Sequence, residues 1–235
     1  MAYIELLFYS GRSFLFALAT LLPILNPPAV APIFLTLTEG ASTTARTQLA
    51  KRVAINIFIM LTGAMIAGNV VLEMFGISLP IIRVGGGLLV VATAWRLVSA
   101  TDFDASHAQD MAEAYTPQQV RSKAFYPLTF PLICGPGAIS AALTVGATLH
   151  DANASGAALQ LMGSIPAIMV AALVVYLVLR FAAQFLHKLG PNGTAVLMRL
   201  SAFILLCLGV QIVWDGVQEL VLGLMRDAAA LAISP

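Results

Sequence analysis

The sequence predicts an all-α membrane protein of about six transmembrane helices, built as two inverted three-helix repeats whose first and fourth helices are discontinuous. Three observations predict it. Hydrophobic residues make up 60% of the 235-residue chain and charged residues 10%, against roughly 25% charged in soluble domains. Apolar runs long enough to span a bilayer, which takes about 20 helical residues, recur along the whole chain. Two of these runs are broken in mid-course by clustered prolines and glycines, at corresponding places in the two halves.

In chain order, the first run covers 13–37 and is interrupted by Pro23-Ile24-Leu25-Asn26-Pro27-Pro28. A proline inside a helix deletes one backbone hydrogen bond and clashes with the preceding turn, at roughly 3 kcal/mol, so this cluster unwinds the helix rather than bending it. The second run, 53–72, ends before a glycine turn at Gly76. The third, 79–98, carries Arg83 and Gly85-Gly86-Gly87. These glycines follow no soluble strand and lack the Lys-Ser/Thr of a phosphate loop, so close helix packing is expected of them. A polar, acidic stretch follows, with Asp102, Asp104, Asp110 and Glu113, and it ends in Thr116-Pro117, a helix-start signal. It reads as a linker between halves.

The second half repeats these events in order. The run 124–149 is broken by Pro131-Leu132-Ile133-Cys134-Gly135-Pro136-Gly137. A plain run follows at 163–185, then a glycine turn at Gly190, then 195–222 with Arg199 near its start. The units are a first three-helix repeat at 1–98, a cytoplasmic linker at 99–121 and a second repeat at 122–235. Three spans is an odd number, so the second repeat enters from the opposite face. That is the inverted arrangement in which secondary transporters hold substrate at the midplane between two broken helices.

Lys and Arg near the span ends set orientation. Arg46, Lys51, Arg52, Arg96, Arg121, Lys123, Arg180 and Lys188 fall on one side, and mainly Arg12 and Arg226 on the other. The first side is expected in the cytoplasm and both termini outside it. Glu5 and Arg12 flank a mixed segment without a small-residue cleavage site, so the first span is expected to be retained. Cys134 and Cys207 lie inside apolar runs, in no metal or redox spacing. A net charge of +1 without a basic patch argues against nucleic-acid partners.

Three segments together resemble the MarC family over nearly the whole chain. They are Asn26-Pro27-Pro28 with Pro32-Ile33-Phe34-Leu35-Thr36-Leu37-Thr38, Phe75-Gly76-Ile77-Ser78-Leu79 leading to Arg83-Val84-Gly85-Gly86-Gly87, and Pro127-Leu128-Thr129-Phe130-Pro131-Leu132-Ile133-Cys134-Gly135-Pro136-Gly137-Ala138-Ile139. The resemblance implies a bacterial or archaeal inner-membrane, multi-pass protein. It also implies transport of small neutral amino acids such as glycine and alanine; the family's old link to antibiotic resistance is a weaker guide. Where the family pattern has a small residue after Asn-Pro, this chain has Pro28, which removes a further amide donor.

The expected substrate site is formed by Asn26, Pro27, Pro28, Thr129, Cys134, Gly135, Pro136, Gly137 and Ser140. Helix N-terminal ends would offer amides to a carboxylate, and C-terminal ends carbonyls to an ammonium or cation, which suits a zwitterion. Gly135 and Gly137 let a ligand approach the backbone; Asn26 and Thr129 supply polar side chains. Prolines can instead kink membrane helices for packing alone. Seven of the twelve prolines (Pro23, Pro27, Pro28, Pro32, Pro127, Pro131, Pro136) sit in these two segments, which favours function.

Arg83 and Arg199 are read as supporting residues that snorkel or bond a carbonyl at a break, rather than touch substrate. Asp215 and Glu219, four apart near the outer end of the last span, read as a solvated face. Glu73 is placed at a span end, and His107, His150 and His187 in connections, without metal spacing. An ion-coupled secondary transporter is the leading class, with Na+ or H+ as the coupling ion, no other cofactor, and lipid and amino acid as partners. Homo-oligomers are compatible with the sequence. A channel or facilitator for a small polar solute, or an exporter of other small molecules, is the alternative. An enzyme is not expected, because Ser140, Cys134 and Thr129 have no His or Asp in reach.

Overall fold

The computed structural model describes residues 2–38, 40–99, 124–150 and 154–233. Among these, all regular structure is helical: α1 Ala2–Leu25, α2 Pro27–Leu37, α3 Thr43–Met74, α4 Leu79–Ser99, a π-type segment α5 Ala124–Ile133, α6 Pro136–His150, α7 Ala154–Arg180 and α8 Ala182–Ile233. The linker expected at 99–121 lies outside the described residues except for Ser99, as does His107.

Local chemistry accounts for the boundaries. Ser42 caps α3 by accepting from the Ala45 amide at 3.1 Å, an N-cap interaction worth about 1 kcal/mol. Gly76 ends it: at φ 65° its amide donates to Glu73 O at 3.1 Å, and that of Ile77 to Leu72 O at 3.0 Å. This double bond pattern is the Schellman cap, for which glycine is the preferred left-handed residue. Gly190 has the same sign of φ, 68°, with ψ 177°, and kinks α8. The two glycine turns expected from the sequence thus share a positive φ.

Among the described residues, five helices are long and apolar enough to cross a membrane: Phe8–Leu25, Thr43–Gly68, Leu79–Ser99, Ala157–Arg180 and Asn192–Arg226. They become six if Ala124–Ile133 and Pro136–Ala147, which meet at 71°, are taken as one span. The first stretch departs from expectation. Its apolar window of 18 residues is complete at Leu25, before the break, because α1 begins near the N-terminus rather than at residue 13; α2 stands apart as a short apolar helix of 11 residues.

The main core joins α1, α2, α3, α5, α6 and α7 around Leu21, Phe34, Ile57, Leu61, Leu128 and Ile168. A smaller one joins α4 and α8 through Val90, Ala94 and Leu205. In pairs, α4 packs on α8, α1 on α7, α3 on α5, α6 and α7, α4 on α6, and α2 on α8 and α7. The α4–α8 crossing is close. A Cβ placed on Gly87 would come within 2.9 Å of the Gly209 carbonyl, one on Gly209 within 2.8 Å of the Val91 amide, and one on Gly216 within 2.7 Å of the Pro80 carbonyl. Such small-residue crossings let membrane helices approach through their backbones. Of the triple glycine, Gly86 sits against Ser140 and Gly87 against Val213, while Gly85 faces open space; the packing expectation holds for two of the three. Large apolar side chains such as Phe8, Ile59, Trp95 and Trp214 point outward, which in water would be an aggregation hazard and in lipid is the required surface.

Candidate functional site

Each break follows from its prolines. After α1, Asn26 takes the left-handed conformation, φ 44° and ψ 56°, and Pro27 and Pro28 occupy the first turn of α2, where the missing amides cost nothing within that helix. The Asn26 carbonyl accepts from the Ala29 and Val30 amides at 3.1 and 3.2 Å, and its own amide donates to Pro23 O at 3.2 Å. Its side-chain Nδ2 donates to Ser201 O on α8 at 3.3 Å. In the second segment, Tyr126 and Phe130 are extended, at φ/ψ of −116°/127° and −117°/129°. Each directly precedes a proline, Pro127 or Pro131, whose ring excludes the helical conformation from its predecessor. Then Gly135 does what Asn26 does: its carbonyl accepts from the Ala138 and Ile139 amides at 3.0 and 3.1 Å, and Pro136 opens α6.

A cavity of about 920 Å³ lies between the two breaks. It is lined from the first by Ile24, Leu25 and Asn26, from the second by Pro131, Leu132, Ile133, Gly135, Pro136 and Gly137, and from α4 by Leu89, Val90, Thr93, Arg96 and Ser99. Of the residues expected at the site, the structure brings together Asn26, Gly135, Pro136 and Gly137. Pro27, Pro28 and Cys134 flank the breaks without lining the cavity. Thr129 and Ser140 are buried behind it: the Thr129 hydroxyl donates to Ala124 O at 2.6 Å and accepts from Asn56 Nδ2 at 3.4 Å, and Ser140 Oγ donates to Ile82 O at 3.1 Å on α4.

The hydrogen-bond arrangement departs from the balanced set of donors and acceptors expected of the two helix breaks. At the first break no amide is left over, because Pro27 and Pro28 have none and those of Ala29 and Val30 are used. At the second, Pro136 has none and those of Ala138 and Ile139 are used, leaving Gly135 and Gly137. Carbonyls, by contrast, are in surplus. The amide four residues beyond Ile24 would be that of Pro28, and beyond Leu132 that of Pro136, so neither carbonyl can be paired by its own helix.

Arg83 makes no hydrogen bond to a carbonyl at either break among the described residues. Among the described residues it forms an ion pair with Glu219 on α8 and donates through Nε to Thr144 Oγ1 on α6 at 3.4 Å. Glu219, expected on a solvated face, is half exposed but engaged in this pair, and Asp215 accepts from Gln211 Nε2 at 2.8 Å. Arg199 is exposed on α8. The sequence reading missed Thr93 and Arg96, although they share with Leu89, Val90 and Leu97 one helical stripe at spacings of three and four. It also missed Ser201 as the partner of Asn26, since that contact joins residues 175 positions apart.

Comparison with known proteins bears on the whole chain. The family model described as MarC family integral membrane protein matches residues 11–221. The inner membrane protein MarC of Escherichia coli O1:K1 / APEC is 29% identical over 207 residues, 87% of this chain and 93% of that relative. Those of Escherichia coli strain K12 and of Shigella flexneri are each 28% identical over the same length. No solved structure matches. With several apolar helices of spanning length and a family match that covers most of its residues, this chain belongs to the MarC family of integral membrane proteins.

Proposed function

We propose that this protein is a secondary transporter of small neutral amino acids in a bacterial inner membrane, binding its substrate between two discontinuous helices. The observation that carries this reading is the cavity itself, which takes its lining from both breaks. Backbone without internal hydrogen bonds is tolerated at membrane depth only where it is buried in protein or lines a polar cavity. The location inside an inner membrane rests on the names of the relatives.

The helix pairings support the inverted repeat. Exchanging α1, α2, α3 and α4 for α5, α6, α7 and α8 turns the α1–α7 contact into α5–α3, α4–α6 into α8–α2 and α2–α7 into α6–α3, while α4–α8 and α3–α7 map onto themselves. Paired helices of this kind rock about a fixed site in alternating access.

The two ends of α4 differ in a way that suits one state of that cycle. Its C-terminal half, from Leu89 to Ser99, lines the cavity, which reaches the end of the helix where the linker begins. Its N-terminal half is sealed by the Arg83–Glu219 pair and by Ser140 beneath Gly86. With the linker cytoplasmic, this is an inward-open carrier closed on the outside. A cavity with one sealed end favours a carrier over a channel, whose pore must be open at both ends. Its volume is at the upper end of the roughly 300–1,000 Å³ that ordinary ligand pockets span, so a glycine-sized substrate would share it with water. Arg96 is the charged residue of the lining and the natural partner for a carboxylate.

Counterflow of labelled glycine and alanine in proteoliposomes, under separate sodium and proton gradients and with leucine as competitor, tests the reading. Saturable exchange is expected, accelerated by one gradient. Unsaturable flux would indicate a channel, and no flux in folded protein would reject the amino-acid assignment.

A further inference from the structure

We infer that the two breaks together form a binding site for a monovalent cation, made of backbone carbonyls that proline has left without donors. This deepens the transport reading by naming a ligand of the same cavity, and rests on that reading only for its purpose, because binding is measured without flux. The carbonyls of Ile24 and Leu25 end α1, and those of Pro131, Leu132 and Ile133 end α5; no amide remains in either helix to bond them, and no hydrogen bond reaches them from elsewhere among the described residues. All five residues line the one cavity. Of the five residues Leu25 and Ile133 are buried, buried carbonyls are nearly always paired, and an unpaired set that includes the negative end of the α1 dipole is a cation site in chemistry and in charge.

Three further observations point the same way. Donors are fewer than acceptors: the first break offers no spare amide and the second only those of Gly135 and Gly137, against five carbonyls. Asn26 spends its Nδ2 on Ser201 O, which leaves Oδ1, an acceptor, for the cavity it lines. The equivalence of Ile24 with Pro28 and of Leu132 with Pro136 repeats the deletion of one donor at the same step of each break. Arg96 is the opposing charge. It lies six residues beyond Val90, whose side chain abuts Gly137, and hence about 9 Å further along α4. The backbone of Arg96 and the breaks therefore lie at different levels of the cavity. The shared chemistry is a compact monovalent cation, supplied either by free Na+ or by the ammonium of an amino acid.

The test uses the full-length protein in nanodiscs. Thermal stability is followed on titration with sodium chloride, and separately with methylammonium chloride, both against choline chloride, which has no N–H to donate. Saturable stabilisation by sodium supports the site with a free ion as occupant, and stabilisation by methylammonium supports it with an ammonium as occupant. No response above choline to either overturns it. Pro28→Ala and Pro136→Ala each restore an amide in the register that would bond the carbonyl of Ile24 or Leu132 if the helix ran on through the break. Because alanine favours helix, a loss of affinity in either variant is not a failure to fold. Each is expected to weaken the cation by about tenfold, the worth of one charge-assisted contact. Wild-type affinity in both variants would overturn the carbonyl assignment. Cation binding without amino-acid counterflow would leave this site standing and remove the transport reading instead.

Discussion

The two helix breaks share a scheme and differ in how they are held. Each ends one helix in unpaired carbonyls, turns at a residue whose carbonyl collects the amides three and four positions on, and starts the next helix with proline. Asn26, however, is tethered: its side chain reaches α8, and a non-glycine residue sits in the left-handed region. Gly135 has no side chain to tether, and a Cβ there would touch only the Pro131 carbonyl, at 3.0 Å. The lesson is that proline placement sets the backbone chemistry, while the residues at the turn set how the break is held. The first break is anchored to α8 by a side chain, and the second is held against α4 by backbone-close packing of Gly137 on Val90.

The comparison can be broken most forcefully at Gly137. A Cβ there would fall on the Val90 side chain, so Gly137→Leu is expected to force α6 and α4 apart, destabilise by about 1–3 kcal/mol and abolish counterflow while the protein still inserts and elutes as a single species. Wild-type flux in such a variant would mean that the second break is no part of the pathway. Next in size is Arg96→Gln, which on the transport reading removes the carboxylate partner. An increase in KM of about tenfold or more is expected, from roughly 1.5–3 kcal/mol for a charged contact, with an unchanged melting curve.

The tether is tested by a pair of variants. Asn26→Gly keeps the left-handed turn and loses the bond to Ser201, at about 1 kcal/mol. Asn26→Ala loses the bond and adds a left-handed penalty of roughly 1–2 kcal/mol. Thermal melts should therefore rank wild type, then glycine, then alanine; if alanine equals glycine, strain at this turn is not what Asn26 supports. Smallest is the ion pair at the sealed end. With side chains 22% and 49% exposed, Arg83→Lys should fold, lose less than about 1 kcal/mol and keep some flux. Glu219→Gln should raise thiol labelling of a cysteine introduced on the outer side of α4. Unchanged labelling would show that the pair does not hold that end shut.

Much of this was legible in the residues. Pro27, Pro28 and Pro136 favour helix starts, because each lacks the amide an interior position must donate, and clustered with Asn26 or Gly135 they mark both breaks, whereas the lone Pro166 sits inside α7. Gly76 and Gly190 marked turns because the left-handed conformation excludes most other residues. Site membership was only half legible. Thr129 and Ser140 flank the second break in sequence, yet the extended residues Tyr126 and Phe130 reset the helical phase on both sides of Thr129, and Ser140 turns to the Ile82 carbonyl. No 3.6-residue count carries across such a reset. The length of α1 was misjudged for a related reason, since composition marks where apolar residues are and not where helical hydrogen bonding begins.

By itself, then, the sequence determined the membrane setting and the two breaks, because these depend on local covalent facts: apolar side chains, rings without amides, and glycine without a Cβ. Only the tertiary structure decided which residues meet. It brought α4 against α6 and α8 through glycine contacts, placed Arg96 and Thr93 opposite the breaks, joined Asn26 to Ser201 and turned Arg83 to Glu219. Those contacts depend on the rotation and crossing of whole helices, which are set by packing summed over many distant residues and not by any one stretch of chain.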